Sequence, residues 1–470
     1  MSAVQEEVAL AQCGLSRAVN ASSPTYRLPD RLLAEIFRLG AQANDSSDLE
    51  YAYLSAVTST CHHWREVAVA ASFLWTQIII MAGHYDPRMS AYLERSKVAP
   101  LRLNLIVDNA FIKWSRERLQ EWIKEIEPYL KRCTRLSIST TQHATAKAIF
   151  PLQVSMPNLR EFAWDGGSPL IHDDDEDEDN RIVTFLDPSA VSCPSYRLSY
   201  HMGSVSIDWN DQIVSKLNTL KLYDLAGRPT RQVLQLIPRC SNLKRLRWVQ
   251  HLSEDEQHVE PLPPFTSPSL EVLDIDLPDN SDEERSFVWN MEFPSLKYLS
   301  IATRSLNTRW ADRALGTATR FPHLKSLWLS AHAFTPPTMI AFLHAHPTVE
   351  QFGCGINPNI GSLLSLLIEP TFIVPREFKL PSLEFIYFLS SSHSNDSAAL
   401  SDSVRSLFRS RADHLCTEDG SESKPFKIQL NDESWTDHWP DDLVKLRQDY
   451  PRQVILSNGD DSVPDRFRPV

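Results

Sequence analysis

A chain of 470 residues, 42% hydrophobic and 23% charged, is too long for one small core and too apolar for disorder throughout. Its net charge of −13, with no dense lysine or arginine stripe to override it, excludes nucleic acid as the expected partner. The pairing of 31 prolines with only 13 glycines predicts many short elements, each ended by a residue that fixes φ and removes a donor.

The seven cysteines (Cys13, Cys61, Cys133, Cys193, Cys240, Cys354, Cys416) are odd in number, dispersed and never spaced C-x-x-C. Reduced, mostly buried thiols are therefore expected, not a zinc or redox site. Met1 to Leu15 carries Glu6 and Glu7 and lacks a basic segment followed by an apolar run, so no secretory signal is expected. Apolar clusters such as Phe73 to Ala82 are too short to span a bilayer. The expected location is cytoplasmic or nuclear, without membrane contact.

Residues 1–25 are small and polar and read as a flexible tail. From Leu28-Pro29-Asp30 a helix is expected, with Pro29 at its start and Leu32, Leu33, Ile36 and Phe37 on one face. Asn44 to Asp48 interrupt the pattern. Leu54, Val57, Cys61, Trp64 and Val67 resume it as a second amphipathic stretch that ends near Phe73-Leu74-Trp75. A unit of about fifty residues buries too little surface to be secure alone. Each large apolar side chain buried by a partner contributes roughly 1.5–3 kcal/mol, so five or six suffice for docking.

These residues carry a resemblance. Leu28-Pro29, Ile36-Phe37, Val57, Cys61-x-x-Trp64-Arg65, Ala68 and Leu74-Trp75, in this order, resemble the F-box, a helical unit that docks on a Skp-type adaptor and through it on the cullin scaffold of a ubiquitin ligase. The resemblance covers residues 27–76 and implies adaptor contacts by Leu28, Pro29, Ile36, Phe37, Leu54, Val57, Cys61, Trp64, Leu74 and Trp75. The segment Gly40 to Tyr53 is longer than the family's usual link.

Further on, Arg88 to Lys97 reads as a helix, Leu101 to Val107 as a strand, and Trp114, Leu119, Trp122, Ile123 and Ile126 as a helical face. A repeat follows. Leu217-x-x-Leu220-x-Leu222, Leu243-x-x-Leu246, Leu270-x-x-Leu273-x-Ile275, Leu296-x-x-Leu299-x-Ile301 and Leu324-x-x-Leu327-x-Leu329 begin 26, 27, 26 and 28 residues apart. Weaker copies start at Cys133, Leu159, Cys193, Val349 and Leu383. Proline precedes several of them, as in Phe293-Pro294-Ser295-Leu296, and stops the element before each strand. Helical stretches are expected at Thr230 to Ile237 and Pro337 to His344. Stacking explains the pattern, because each short unit covers its neighbour's apolar edge.

The repeats resemble leucine-rich repeats, and the combination resembles the F-box/leucine-rich-repeat proteins of mushroom-forming fungi. At the ninth repeat position Leu225, Pro278, Arg304 and His332 replace the usual asparagine or cysteine. The acidic run Asp173 to Asp179 after His172 lacks the alternating ligands and turn glycine of a calcium loop and reads as a solvated loop. His62-His63 and His344-x-His346 lack further convergent ligands. A helix around Ser401 to Leu415, a last strand at Phe426 to Leu430, and Trp435 and Trp439 as cap residues complete the chain.

The expected fold is α/β: a flexible tail (1–25), a helical F-box (26–80), a linker and cap (81–130), a leucine-rich-repeat-like solenoid with a curved parallel sheet (131–390, acidic loop 172–180) and a C-terminal cap and tail (391–470). No nucleophile elbow, Walker loop, dinucleotide fingerprint or H-E-x-x-H motif occurs, so no catalysis, cofactor or metal is expected. The expected function is the substrate-recognition subunit of a Skp-cullin-F-box ubiquitin ligase. The alternative is a non-catalytic scaffold outside ubiquitin transfer. Tyr223, Arg245, Arg247, Asp274, Asp276, Tyr298, Trp328 and Tyr387, outward on the strands, are the expected target-binding residues, and the aromatics and arginines among them are of the types that form binding hot spots; the target itself is unknown.

Overall fold

The computed structural model describes residues 3–43, 47–82, 86–107, 116–139, 155–165, 182–184, 196–202, 206–208, 211–224, 236–249, 265–277, 291–303, 321–329, 336–355, 363–364, 367, 382–390, 397–415, 426–432 and 441–458. The acidic run, Trp114, Trp435, Trp439, the four ninth-position residues and the helical stretch before Leu236 lie outside them. The chain is α/β, with parallel sheets and helices, in two compact units, Met1–Asn210 and Asp211–Val470. Among the described residues no helix is long and apolar enough to cross a membrane.

The first unit opens with helix α1 (Ala3–Ser22), where the sequence reading expects a flexible tail. Its alanine, leucine, glutamate and glutamine are strong helix formers, and that propensity outweighs the small polar residues. A 3-10 turn (Pro24–Arg27) leads to α2 (Asp30–Gln42), α3 (Ser47–Thr60) and α4 (His62–Ala70), then to a second 3-10 turn (Ser72–Trp75). The stretch read as one helix from Leu54 to Val67 is two. Cys61 has extended backbone, and its Sγ accepts the Trp64 N–H at 3.5 Å, so the Cys-x-x-Trp spacing is that of a helix cap.

Strands β1 (Gln77–Met81), β2 (Leu101–Ile106), β3 (Cys133–Ser139), β4 (Glu161–Asp165) and β6 (Tyr196–Met202) run parallel in that order. Helices α5 (Pro87–Arg95) and α6 (Arg116–Leu130) connect the first three. β5 (Ile182–Thr184) pairs separately with β7 (Ser206–Asp208). The parallel sheet therefore starts at Gln77, well before the first strand assigned to the repeats.

The second unit begins with the short α7 (Asp211–Val214). Nine parallel strands follow in chain order: β8 (Leu217–Asp224), β9 (Arg245–Val249), β11 (Val272–Leu277), β13 (Tyr298–Thr303), β14 (Ser326–Leu329), β15 (Gln351–Gly355), β16 (Phe385–Ser390), β17 (Lys427–Asp432) and β18 (Val454–Asn458). β10 (Phe265–Thr266) and β12 (Met291–Glu292) pair beside them. Helices α8 (Pro336–Ala345), α9 (Ser397–Leu415) and α10 (Asp441–Asp449) occur where helical spacing recurs in the sequence.

Successive side chains along a strand point to opposite faces, and one face carries the core: Leu220, Leu246, Leu273, Leu299, Leu327, Phe352 and Ile386 stand side by side in register and are buried. The turns before the strands are tied by a polar ladder. Asn158 donates to Lys131 O at 3.3 Å, Asn242 to Ser215 O at 2.7 Å, Ser269 to Leu243 O at 3.0 Å and Thr348 to Leu324 O at 2.8 Å. Asn158, Asn242 and Ser269 stand just before the first leucine of their repeats and Thr348 just before Val349, so each tie is made ahead of its strand. Beside the ladder, Phe293 and Phe321 stack at 6.1 Å, and His346 continues the column at 5.9 Å from Phe321.

Candidate functional site

The helices between Pro24 and Trp75 close around large rings. Phe37 of α2 meets Trp64 of α4 at 5.0 Å, and Tyr26 lies on His63 at 4.5 Å. Gly40 lets the Tyr53 ring of α3 lie directly against α2, since a Cβ there would collide with the hydroxyl end of that ring. Trp75 donates its ring N–H to Ala68 O at 2.8 Å, packs edge-on against Tyr92 of α5 at 4.8 Å and carries the Arg95 guanidinium 4.5 Å above its ring. The helices are welded to the strand that follows them. The backbone N–H of Ile79 in β1 donates to the Tyr51 hydroxyl of α3 at 3.0 Å, and Tyr51 in turn touches Tyr92 at 5.0 Å.

The residues expected on an adaptor-facing surface separate into two sets. Phe37, Leu54, Val57, Leu74 and Trp75 are buried within the helical unit. Leu28, Cys61 and Trp64 are partly buried, and Pro29 and Ile36 are exposed. Sequence spacing alone does not single out the feature that remains. Leu32, Ile36 and Leu39, at the i, i+4 and i+7 positions of α2, are exposed to 53%, 49% and 56% and form an apolar ridge headed by Pro29. Glu35 and Arg38 flank it as an ion pair, and Arg38 also donates to Gln42 at 2.7 Å. The ion pair holds the Glu35 carboxyl below its usual range. Leu33 and Val67 are buried, as a local core requires.

Glu50 of α3 lies between this unit and the first strands. Burial pushes its carboxyl up to about 7, against the opposing pull of Arg102 on β2.

On the nine-strand unit, all eight expected target-binding residues lie on the face opposite the leucine core. The register Lys221, Arg247, Asp274, Ser300, Trp328, Gly353, Tyr387, Gln429, Ile455 crosses all nine strands. Two characters divide it. On β8 to β13, Arg247 pairs with Asp274 at 3.4 Å and lies 5.6 Å above the Tyr223 ring, while Arg245 and Asp276 are partly exposed. On β14 to β18 the same face holds a buried aromatic cluster beside the buried Gln429. Trp328 and Tyr387 are buried 5.3 Å apart and pack with Phe385, Tyr298 and Ile455.

Trp328 and Tyr387 are thus not the open aromatic contacts expected of them. Gly353 creates their meeting place, because a Cβ there would be 2.2 Å from the Trp328 ring. A glycine inside a strand marks such a close approach, and this one was readable in Gln351 to Gly355.

The described thiols Cys133 and Cys240 are buried and pushed up to about 12, which keeps them unreactive. His62 pairs with Glu66 at 3.2 Å, and His63 approaches Asp30 at 3.6 Å. Among the described residues no three His, Cys, Asp or Glu side chains are grouped to hold a metal ion. Comparison with protein-family models and with curated proteins finds no match for this chain.

Proposed function

We propose that the protein is the substrate-recognition subunit of a Skp-cullin-F-box type ubiquitin ligase, with the helices from Pro24 to Trp75 as its F-box and the parallel strands as a leucine-rich-repeat-like array that holds the target. One observation carries this reading. A small helical unit with a satisfied aromatic core keeps Leu32, Ile36 and Leu39 in solvent beside Pro29. Three large aliphatic side chains in one ridge cost stability in water and contribute to a complex when a partner covers them. Phe37, Leu54, Val57, Leu74 and Trp75 act in this reading by shaping the ridge from beneath. The target contacts fall to Tyr223, Arg245, Arg247, Asp274 and Asp276, where the strand face is partly open.

The test is binding of the full chain to a purified Skp-type adaptor. Leu32→Gln/Ile36→Gln/Leu39→Gln is expected to abolish binding and leave the melting temperature of the free chain unchanged or higher. Equal affinity of the variant and the wild type would overturn the reading. A cullin that accompanies the adaptor in co-purification supports ubiquitin ligase assembly. An adaptor recovered without one supports the scaffold alternative.

A further inference from the structure

Helix α1 is left unexplained by the surfaces above. It is 20 residues long, and each of its described side chains from Glu7 to Val19 is exposed. Leu15 and Val19, one turn apart, are exposed to 69% and 61%, with Ala11 and Ala18 beside them. Nothing lies within 4 Å of a Cβ built at Gly14. A helix of this length in water is marginal on propensity alone, and its stability in proteins comes from packing an apolar face. The apolar face is present and its cover is not supplied by the neighbouring described elements.

The size of the face selects the occupant. A helix of 20 residues spans about 30 Å and offers roughly 300 Å² to one partner. A pair of such helices would bury about 600 Å², well below the roughly 1,200 Å² of a specific interface. Two copies of this chain joined through α1 alone fall short. As an added strip on a larger interface the same face is sufficient.

The chain provides the connection. The Ser23 N–H donates to Asn20 O at 3.0 Å, Tyr26 N–H to Ser23 O at 3.1 Å and Leu28 N–H to Thr25 O at 3.3 Å, so α1 runs through a hydrogen-bonded turn into Pro29 and the ridge of α2. We infer that α1 is a second docking strip for the adaptor that covers Leu32, Ile36 and Leu39, and that Leu15 and Val19 are its contact residues. This inference rests on the adaptor-binding reading above.

The experiment uses the full chain, a purified Skp-type adaptor and three proteins: wild type, Ile36→Gln, and Leu15→Gln/Val19→Gln. Glutamine keeps helix propensity high, so lost affinity in the double variant reports contact and not an unfolded helix. The double variant is expected to weaken Kd by roughly tenfold or more. Residues 3–22 are expected to gain amide-exchange protection in the wild-type complex.

If the wild type fails to bind, the adaptor reading falls and takes this inference with it. Binding that is lost in Ile36→Gln yet unchanged in Leu15→Gln/Val19→Gln, without protection of residues 3–22, overturns this inference alone. It is also overturned if the free wild type is a dimer in light scattering and the double variant is a monomer, because the occupant is then a second copy.

Discussion

The helices from Pro24 to Trp75 and the nine-strand unit solve the burial problem in opposite ways. In the strand unit each leucine of the core face is covered by the strands on either side, and among the described residues its one large exposed hydrophobic is Val444 on α10. The helical unit and the helix before it carry Leu15, Val19, Tyr26, Leu32, Ile36, Leu39 and Phe73 in solvent. A repeating sheet generates its own cover by adding units, whereas a unit of three short helices exhausts its interior on a few rings and presents the remainder outward. Damage should therefore be concentrated in the helices and distributed in the sheet.

Trp75→Ala gives the largest effect expected of a single substitution. The indole is buried, donates to Ala68 O, and meets both Tyr92 and Arg95. Its loss is expected to cost about 3–5 kcal/mol. Denaturant unfolding should then show an early transition for the first unit, with that of the strand unit unchanged. One coincident transition at lower denaturant would show instead that the two units unfold together.

Acid and base should act on the two regions with opposite sign. His346 occupies the place of a third phenylalanine in the column of Phe293 and Phe321, and burial lowers its imidazole from the usual 6.5 to about 4. The folded protein then binds fewer protons than the unfolded chain between these values. Stability from this site is full above pH 6.5 and declines as the pH falls to about 4, by up to about 3 kcal/mol. Glu50 behaves in reverse. Its carboxyl is raised from 4.5 to about 7, so the stability it permits is full below pH 4.5 and is lost as the pH rises through 7. His346→Phe should flatten the acid limb and Glu50→Gln the alkaline limb of a plot of melting temperature against pH. If one substitution alters both limbs, the regions are coupled.

Gly353→Ala tests the covered half of the strand face. The new methyl group meets the Trp328 ring, a rigid group held by Tyr387, so overpacking is expected to cost about 1–3 kcal/mol. Altered indole fluorescence should accompany it. Arg247→Ala, on the open half, is expected to leave stability nearly unchanged.

The repeat pitch was legible because leucine recurs at 26 to 28 residues and proline precedes several of the strands. Leu28-Pro29 and Cys61-x-x-Trp64 likewise announced the helical unit. Three features were less legible, each for a physical reason. Alternation tells which face a strand residue points to but not what covers it, so Trp328 and Tyr387 read as open. The β1 residues Ile78 and Ile80 sit in an apolar run where helix and strand periods are indistinguishable. The polar ladder used Asn158, Asn242, Ser269 and Thr348, ordinary turn residues whose partners are a whole repeat away. Thr348→Val keeps the shape, deletes one rung, and is expected to cost about 1 kcal/mol in denaturant unfolding.

The smallest effect belongs to the most conspicuous contacts. Lys297 donates to Glu271 at 2.9 Å, with Lys244 at 4.0 Å on the other side of the same carboxylate, and Lys325 pairs with Glu350 at 2.7 Å, so the strand starts look stitched by charge. All of these side chains are substantially exposed, and water and salt screen them. Removing Lys297 leaves Lys244 beside Glu271 and strands no buried charge. Lys297→Ala is expected to shift stability by no more than about 0.5 kcal/mol, with that small difference shrinking further at high salt. A loss comparable to that of Gly353→Ala would mean that charge, and not the buried leucine row, sets the order of the strands. The proposed contrast between a self-covering sheet and a partner-seeking helical unit would then lose its basis.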